Sequence, residues 1–411
     1  MTKLISVLKS NIELTPYRFF NDFLLDVANT YIEKPTDVIF KMFENGDKDV
    51  YNSNYRISPI TIPLLLSLFE QLSKYHKKAL NLALYNNSAT IQILEFLYHV
   101  DFFNIGGDPT KFSYPLGRNI IDFEDGYLGG FIGKQPRNDH RLRTYSLNDD
   151  NLFDKIKSYD TDDSKRDFLN SFYTYKVKEH FSELLFENEH TYHLHNSFID
   201  ILSELITNGV LHSKSNTFAL MFVDRFKTKF SISDNGIGFK ESMEGKKNTF
   251  YYKYKSLTEK ISTKTPSVEL EQTIINNLTV IFETLYYSSL KDRKGLFDLM
   301  INVVLKSKGY FRLHTDNCQV IISNRMMEQL QQVELVRNEI YKLHTSYSLE
   351  KVSFDIYENT LIKLSEEMKG YFVNFYNKSI EKYNSDIKYS SIRFFKVRFR
   401  GVHIEVEIPN S

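Results

Sequence analysis

The chain of 411 residues has a single cysteine, Cys318. That excludes an internal disulfide framework and any metal site built from clustered thiolates. A surplus of charge is missing too. With 52 basic residues against 52 acidic ones, the totals give no argument for a nucleic-acid or anionic-membrane partner. No apolar run is long enough to span a bilayer: the longest, ISPITIPLLLSLF from Ile57 to Phe69, stops short and contains Pro59 and Pro63. The opening MTKLISVLKSNIELTP has too short an apolar core for a secretory signal. Internal repeats and low-complexity tracts are also lacking. What remains is 42% hydrophobic and 25% charged, the composition of a globular cytoplasmic protein, and the length suits two domains. The abundance of Asn, Lys, Tyr, Ile and Phe reads as coding bias.

Residues 55 to 105 alternate between helix and strand patterns. IPLLLSLFEQLSKYHKK recurs at helical spacing, ALNLAL (79–84) is a short strand, and IQILEFLYHVDFF is a second amphipathic helix. This order predicts a small α/β unit with a buried sheet. Between 106 and 150, Gly106, Gly107, Pro109, Pro115, Gly117, Gly126, Gly129, Gly130, Gly133 and Pro136 mark turns, and the domain junction is placed there. DDSKRDFLNSFYTYKVKEHFSELLFEN is helical. A long helix (NSFIDILSELITNGVLHS), the strands TFALMFVD and KFSISD, and the glycine turn DNGIGF follow. Residues 241–268 read as a mobile polar loop. Then come the helix ELEQTIINNLTVIFETLYYSS, the break KDRKG, the helix LFDLMINVVLKSKG, and two strands, YFRLHT and QVIIS. Residues 327–390 are helical and charged, either packed on their own domain or presenting a face to a partner. The end, SIRFFKVRFRGVHIEVEIP, reads as a hairpin, with Val402, Ile404, Val406 and Ile408 alternating against polar residues.

Two short stretches carry chemistry. In SELITNGVLHS, Glu204, Asn208 and His212 are four apart and share one helix face, while Ile201, Leu202, Leu205 and Ile206 supply the face that packs on a sheet. A carboxylate beside a carboxamide can hold Mg²⁺ and orient a water; the plain alternative is the solvated side of an amphipathic helix. In SDNGIGF, Asp234 ends a strand, where a buried carboxylate can accept a hydrogen bond from an exocyclic amine. Gly236 and Gly238 would let the backbone approach a flat ligand; alone, the turn is an ordinary hairpin signal.

Together, and in this order with two strands between them, the two stretches resemble the asparagine box and first glycine box of the GHKL superfamily. That group includes the gyrase, histidine-kinase and MutL ATP-binding domains. The trailing histidine looks most like the anti-sigma-factor kinases and histidine-kinase-like ATPase domains. The resemblance implies ATP and Mg²⁺ as ligands. Asn208 would ligate the metal through its side-chain oxygen, and Glu204 would be the general base or water-orienting group if hydrolysis occurs. Asp234 would read the adenine amine beside Gly236 and Gly238, and His212 would sit on the phosphate side. The later glycine box survives only as Gly295 and Leu296 in DRKGLFDLM, with Arg293 and Lys294 substituting charge for lost amide contacts. Residues from about 240 to 292 would be the ATP lid. The expected fold is an α/β (α+β) sandwich over residues 179–411, with helices on one face of a mixed sheet. A connector would span 113–178.

Residues 1–112 are similar at pattern level to the STAS fold of anti-sigma-factor antagonists. Ser58 and Thr61 stand near that family's phosphorylated position, beside Pro59 and Pro63. Three further groupings are weaker. His190, His193 and His195 would share a strand face suited to metal, or simply pack. Lys396, Arg398 and Arg400 with interleaved phenylalanines form a basic strand face, which the neutral total charge reads as sheet exterior. No phosphoacceptor histidine precedes the asparagine box, so a complete sensor kinase is not expected. The expectation is therefore a bacterial, Mg-ATP-binding regulatory protein, a slow ATPase or nucleotide switch acting on a protein partner. An anti-sigma-type protein serine kinase is one alternative. A non-catalytic interaction module, such as an antitoxin or defence-system component, is the other. A homodimer stays open; a membrane partner is not expected.

Overall fold

Two large β-sheets, one parallel and one antiparallel, stand on either side of helices of which one is apolar all round, and a two-stranded parallel pair joins Glu13–Leu14 to Arg56–Ile57. The computed structural model describes residues 2–48, 54–131, 140–213, 215–262, 272–381 and 390–410. The first sheet is formed by β1 (Thr2–Leu8), β2 (Asp37–Phe43), β3 (Leu80–Ala83) and β4 (Ile121–Asp122), side by side in chain order and all parallel. The second is formed by β5 (His140–Tyr145), β6 (Thr217–Val223), β7 (Lys227–Asp234), β8 (Tyr310–Ile322) and β9 (Ile392–Pro409) in the order β8-β9-β7-β6-β5. Every pairing in it is antiparallel, so the expected mixed sheet is corrected. The chain is α+β, as its pattern predicts.

The parallel sheet carries α1 (Leu24–Ile32), α2 (Ile62–His76) and α3 (Ile91–His99). Pro63 sits in the first turn of α2, where no amide is missed, and Lys77 closes the helix in the left-handed region. Residues 62–70 are all buried because α2 touches β3 on one side and β6 and β7 on the other. A helix apolar all round belongs between two layers, which explains the longest apolar run in the chain. Among the described residues no helix is long and apolar enough to cross a membrane.

On its other face the antiparallel sheet carries α4 (Asp162–Phe186), α5 (His195–Ser213), α6 (Gly238–Glu244), α7 (Ser256–Ser262), α8 (Gln272–Ser289) and α9 (Leu296–Ile301). A long helical pair, α10 (Met327–Ser348) and α11 (Phe354–Glu381), is inserted between β8 and β9 and packs on α7 and α8. In α4, Thr161 caps the first turn by accepting from the Ser164 N–H, and Leu169, Tyr173, Val177, Phe181 and Leu184 form a buried stripe against α5.

Several expectations change. The last segment is one strand, not a hairpin, and 310–322 is one strand rather than two. Asp316 (φ 56°) and Gly401 (φ 98°) adopt left-handed backbone where the pairing register shifts, so both strands bulge and bend without reversing. Residues 241–268 are not loop throughout: α6 and α7 lie in them, and 263–268 are outside the described residues, as are Gly133 and Pro136. Domain limits shift as well. The parallel sheet continues past residue 112 to β4, and the antiparallel sheet starts at β5, inside the expected connector. Glycine turns at 106–130 belong to the first unit because Ile120, Ile121 and Phe131 are in its core.

Candidate nucleotide-binding cleft

The α5 helix is buried on both flanks, so its polar stripe is not a wetted face. Glu204 is only 3% exposed. The stripe looks into a cleft enclosing about 840 Å³, its open mouth included, between α5, the turn after β7, and α8. Glu204, Asn208, His212, Asp234, Gly238, Lys294, Gly295 and Leu296 all line it. Eight of the ten residues singled out in the sequence are thus brought together from segments almost a hundred positions apart.

At one end, Asp234 closes β7. Its Oδ1 accepts the Gly236 N–H at 2.7 Å, and the Val402 N–H also reaches it. Burial outweighs these donors and pushes the carboxyl up to about 7. Gly236 holds the carboxylate from behind rather than lining the cleft. Gly238, at φ 72°, turns the chain into α6, a conformation that a side chain would resist. Leu205, Ile237, Phe239, Met243 and Val402 give this end apolar walls. His212 starts here: its carbonyl stands against Gly236. Burial and the neighbouring Lys246, Arg166 and Lys291 push its imidazole down to about 4. It is therefore a neutral hydrogen-bonding group within reach of those cations.

Glu204 lies eight residues from His212 along α5, about 12 Å at the helical rise. That far end is crowded with cations. Arg166 Nη2 lies 2.9 Å from Glu204 Oε1. Lys246 and Lys291 stand above the Tyr287 ring, at 5.8 and 4.8 Å from its centre. Burial, then Arg166, lowers both ammonium groups, Lys291 to about 7. Lys294 approaches Asp200 at 3.7 Å. Arg293 does not line the cleft; it turns outward to Asp167 at 3.3 Å, because the loop it sits on is fixed from behind. Arg337 of α10 does the fixing. Its Nε and Nη2 each reach an Asp298 carboxylate oxygen at 3.1 Å, and its remaining donors go to the carbonyls of Ser289, Lys291 and Arg293. His344 Nε2 meets the Leu290 carbonyl in addition, at 2.9 Å. The inserted helices therefore pack on their own domain and hold the basic loop in place.

Asn208 Nδ2 points towards Glu204 Oε1 at 3.4 Å. Glu204 Oε2 is buried with no hydrogen-bond partner. The Asn208 amide oxygen fits a magnesium ion whose other ligands are phosphate oxygens and water, and the orphaned Glu204 oxygen is left to meet a water. No cluster of three His, Cys, Asp or Glu side chains able to hold a metal occurs among the described residues. His190 and His193 lie on a short helix and His195 begins α5, so the expected strand face does not form. His195 stacks on Phe186 and bonds Ser182 instead.

Arg166, Lys246 and Lys291 were not picked out in the sequence. Arg166 had a legible signal: it continues the buried stripe of α4 one turn ahead of Leu169, a charge where an apolar residue is expected. The two lysines come from irregular segments whose side-chain direction no periodicity reports. Ser58 and Thr61 are buried, and the Thr61 hydroxyl donates to the Leu14 carbonyl at 3.1 Å.

Comparison with known proteins adds no relative: no family model, curated protein or solved structure matches the chain.

Proposed function

We propose that the cleft binds a Mg-ATP-class nucleotide and that the protein is a nucleotide-dependent regulator, turning ATP over slowly. The observation that carries this reading is the polarity of the cleft. A carboxylate between apolar walls occupies one end, and Arg166, Lys246 and Lys291 gather around Glu204 and Tyr287 at the other. Lys246 and Lys291, held beside Arg166 at the expense of their own charge, favour a polyanion, because bound phosphate relieves the mutual repulsion.

Asp234 accepts the adenine amine, and Lys246 and Lys291 take phosphate oxygens. Through its side-chain oxygen Asn208 would hold magnesium, which screens the phosphate charges from one another. In hydrolysis, Glu204 Oε2 takes a proton from a water whose oxygen bonds to the terminal phosphorus. The bond from that phosphorus to its bridging oxygen breaks, leaving ADP and inorganic phosphate. The segment Ile237–Glu241 also walls a second, wider groove containing Arg398, Arg400 and Asp316, which gives the nucleotide a route to a partner surface.

The second reading, a non-catalytic interaction module, is favoured by the Arg166–Glu204 pair, which occupies the base. A serine kinase acting on its own first domain is disfavoured by the burial of Ser58 and Thr61. The test is a thermal-shift titration with Mg-ATP on the wild type and Asp234→Asn. At about a hundred times the dissociation constant the wild type gains roughly 2.7 kcal/mol, while the variant gains little. Equal shifts would remove Asp234 from the site, and no shift in either protein would remove the nucleotide from the account. Phosphate release by the wild type then separates the slow ATPase from the silent module.

A further inference from the structure

Arg166 lies outside every motif in the chain, yet its side chain is only 13% exposed and reaches the most buried carboxylate of the cleft. The pair is not fully satisfied. Arg166 Nε and Glu204 Oε2 are each buried without a hydrogen-bond partner. An arginine fork with a donor to spare is suited to a planar pair of oxygens, as on a phosphate. Its place matters as well. With the base on Asp234, the span along α5 takes up the ribose and inner phosphates before Arg166 is reached. Arg293 and Lys294 already face Asp167 and Asp200, so they are poorer candidates for the outermost phosphate.

We infer that Arg166 distinguishes a nucleoside triphosphate from a diphosphate, and that its bond to Glu204 is a resting lock opened by the terminal phosphate. The inference rests on the nucleotide reading above. When the terminal phosphate draws the guanidinium across, Glu204 is released. With a diphosphate bound, the lock stays closed.

The test measures dissociation constants for Mg-ADP and for the β,γ-imido analogue of Mg-ATP. Four proteins are compared: the wild type, Arg166→Met, Arg166→Lys and Glu204→Gln. The wild type should prefer the triphosphate by about tenfold or more, the scale of a charge-assisted bidentate contact. Arg166→Met should bring the two constants within about threefold, and Arg166→Lys should restore part of the preference, since a point charge replaces the fork. Glu204→Gln should bind the triphosphate several-fold tighter, because the guanidinium is no longer shared, and this also decides the matter if Arg166→Met fails to fold. A preference that survives Arg166→Met, or no tightening in Glu204→Gln, overturns the inference. A wild type that binds both nucleotides equally overturns this inference alone; one that binds neither overturns the nucleotide reading with it.

Discussion

Asp234 and Lys291 titrate at nearly the same pH from opposite ends of the cleft, and this shapes how binding must depend on acidity. In the proposed site Asp234 would accept the adenine amine only when ionised, and burial has raised it to about 7. Lys291 would attract phosphate only when charged, and burial with Arg166 nearby has lowered it to about 7. The fraction of Asp234 ionised rises about tenfold between roughly pH 6 and pH 8, and the charged fraction of Lys291 falls by the same factor. Adenosine should therefore bind about tenfold more tightly at the upper pH, worth roughly 1.4 kcal/mol, and inorganic tripolyphosphate about tenfold more weakly. Mg-ATP needs both forms. Its affinity should peak near neutrality and fall about threefold one unit to either side. The linkage to stability runs the opposite way. A carboxyl raised on folding stabilises the protein below its unfolded value, and that contribution is lost as the pH rises through about 7. Calorimetric titration of the three ligands across this range checks the reasoning. Adenosine that binds with no pH dependence, or more tightly in acid, would refute the role given to Asp234.

Two substitutions away from the ligand test the scaffold. Arg337→Met strands the Asp298 carboxylate and three loop carbonyls, and should cost about 3–5 kcal/mol in urea unfolding, the scale of a broken buried pair; a loss below about 1 kcal/mol would show that the loop is held otherwise. Gly401→Ala puts a methyl group 1.9 Å from the Asp234 carbonyl oxygen at φ 98°. Backbone strain alone there should cost about 1–3 kcal/mol, and displacement of Asp234 should abolish adenosine binding. An alanine variant with unchanged melting and adenosine affinity would rule out the close approach.

The sequence made the helical part of the cleft legible because Glu204, Asn208 and His212 repeat at the helical period, and Asp234 stands where a strand pattern meets glycines. Both signals are local. Arg337 was lost in a charged helix, since nothing in its neighbourhood says that a loop forty residues earlier needs its donors. The same limit explains Arg293. In KDRKG, charge marked Arg293 and Lys294 as candidates, but only the fold decides that Lys291 and Lys294 face inward while Arg293 turns out. Strand 392–409 was misread for a related reason. Gly401 interrupts a perfect alternation, and a glycine there serves a turn or a bulge equally well until the partner strand, bulging at Asp316, is known.

The two halves also meet directly. Glu70 of α2 accepts the Asn216 and Asn235 side-chain amides at 2.8 and 2.6 Å, and Gln71 Nε2 donates to Asn235 Oδ1 at 2.7 Å. Phe218, Leu220, Phe395 and Phe399 of the antiparallel sheet belong to the core of the first half. A cut between the halves would leave those rings in water and two carboxamides without their carboxylate. The chain should therefore melt as one unit, and the free energy of the proposed nucleotide in the second half would also protect the first, far from the phosphates, from unfolding.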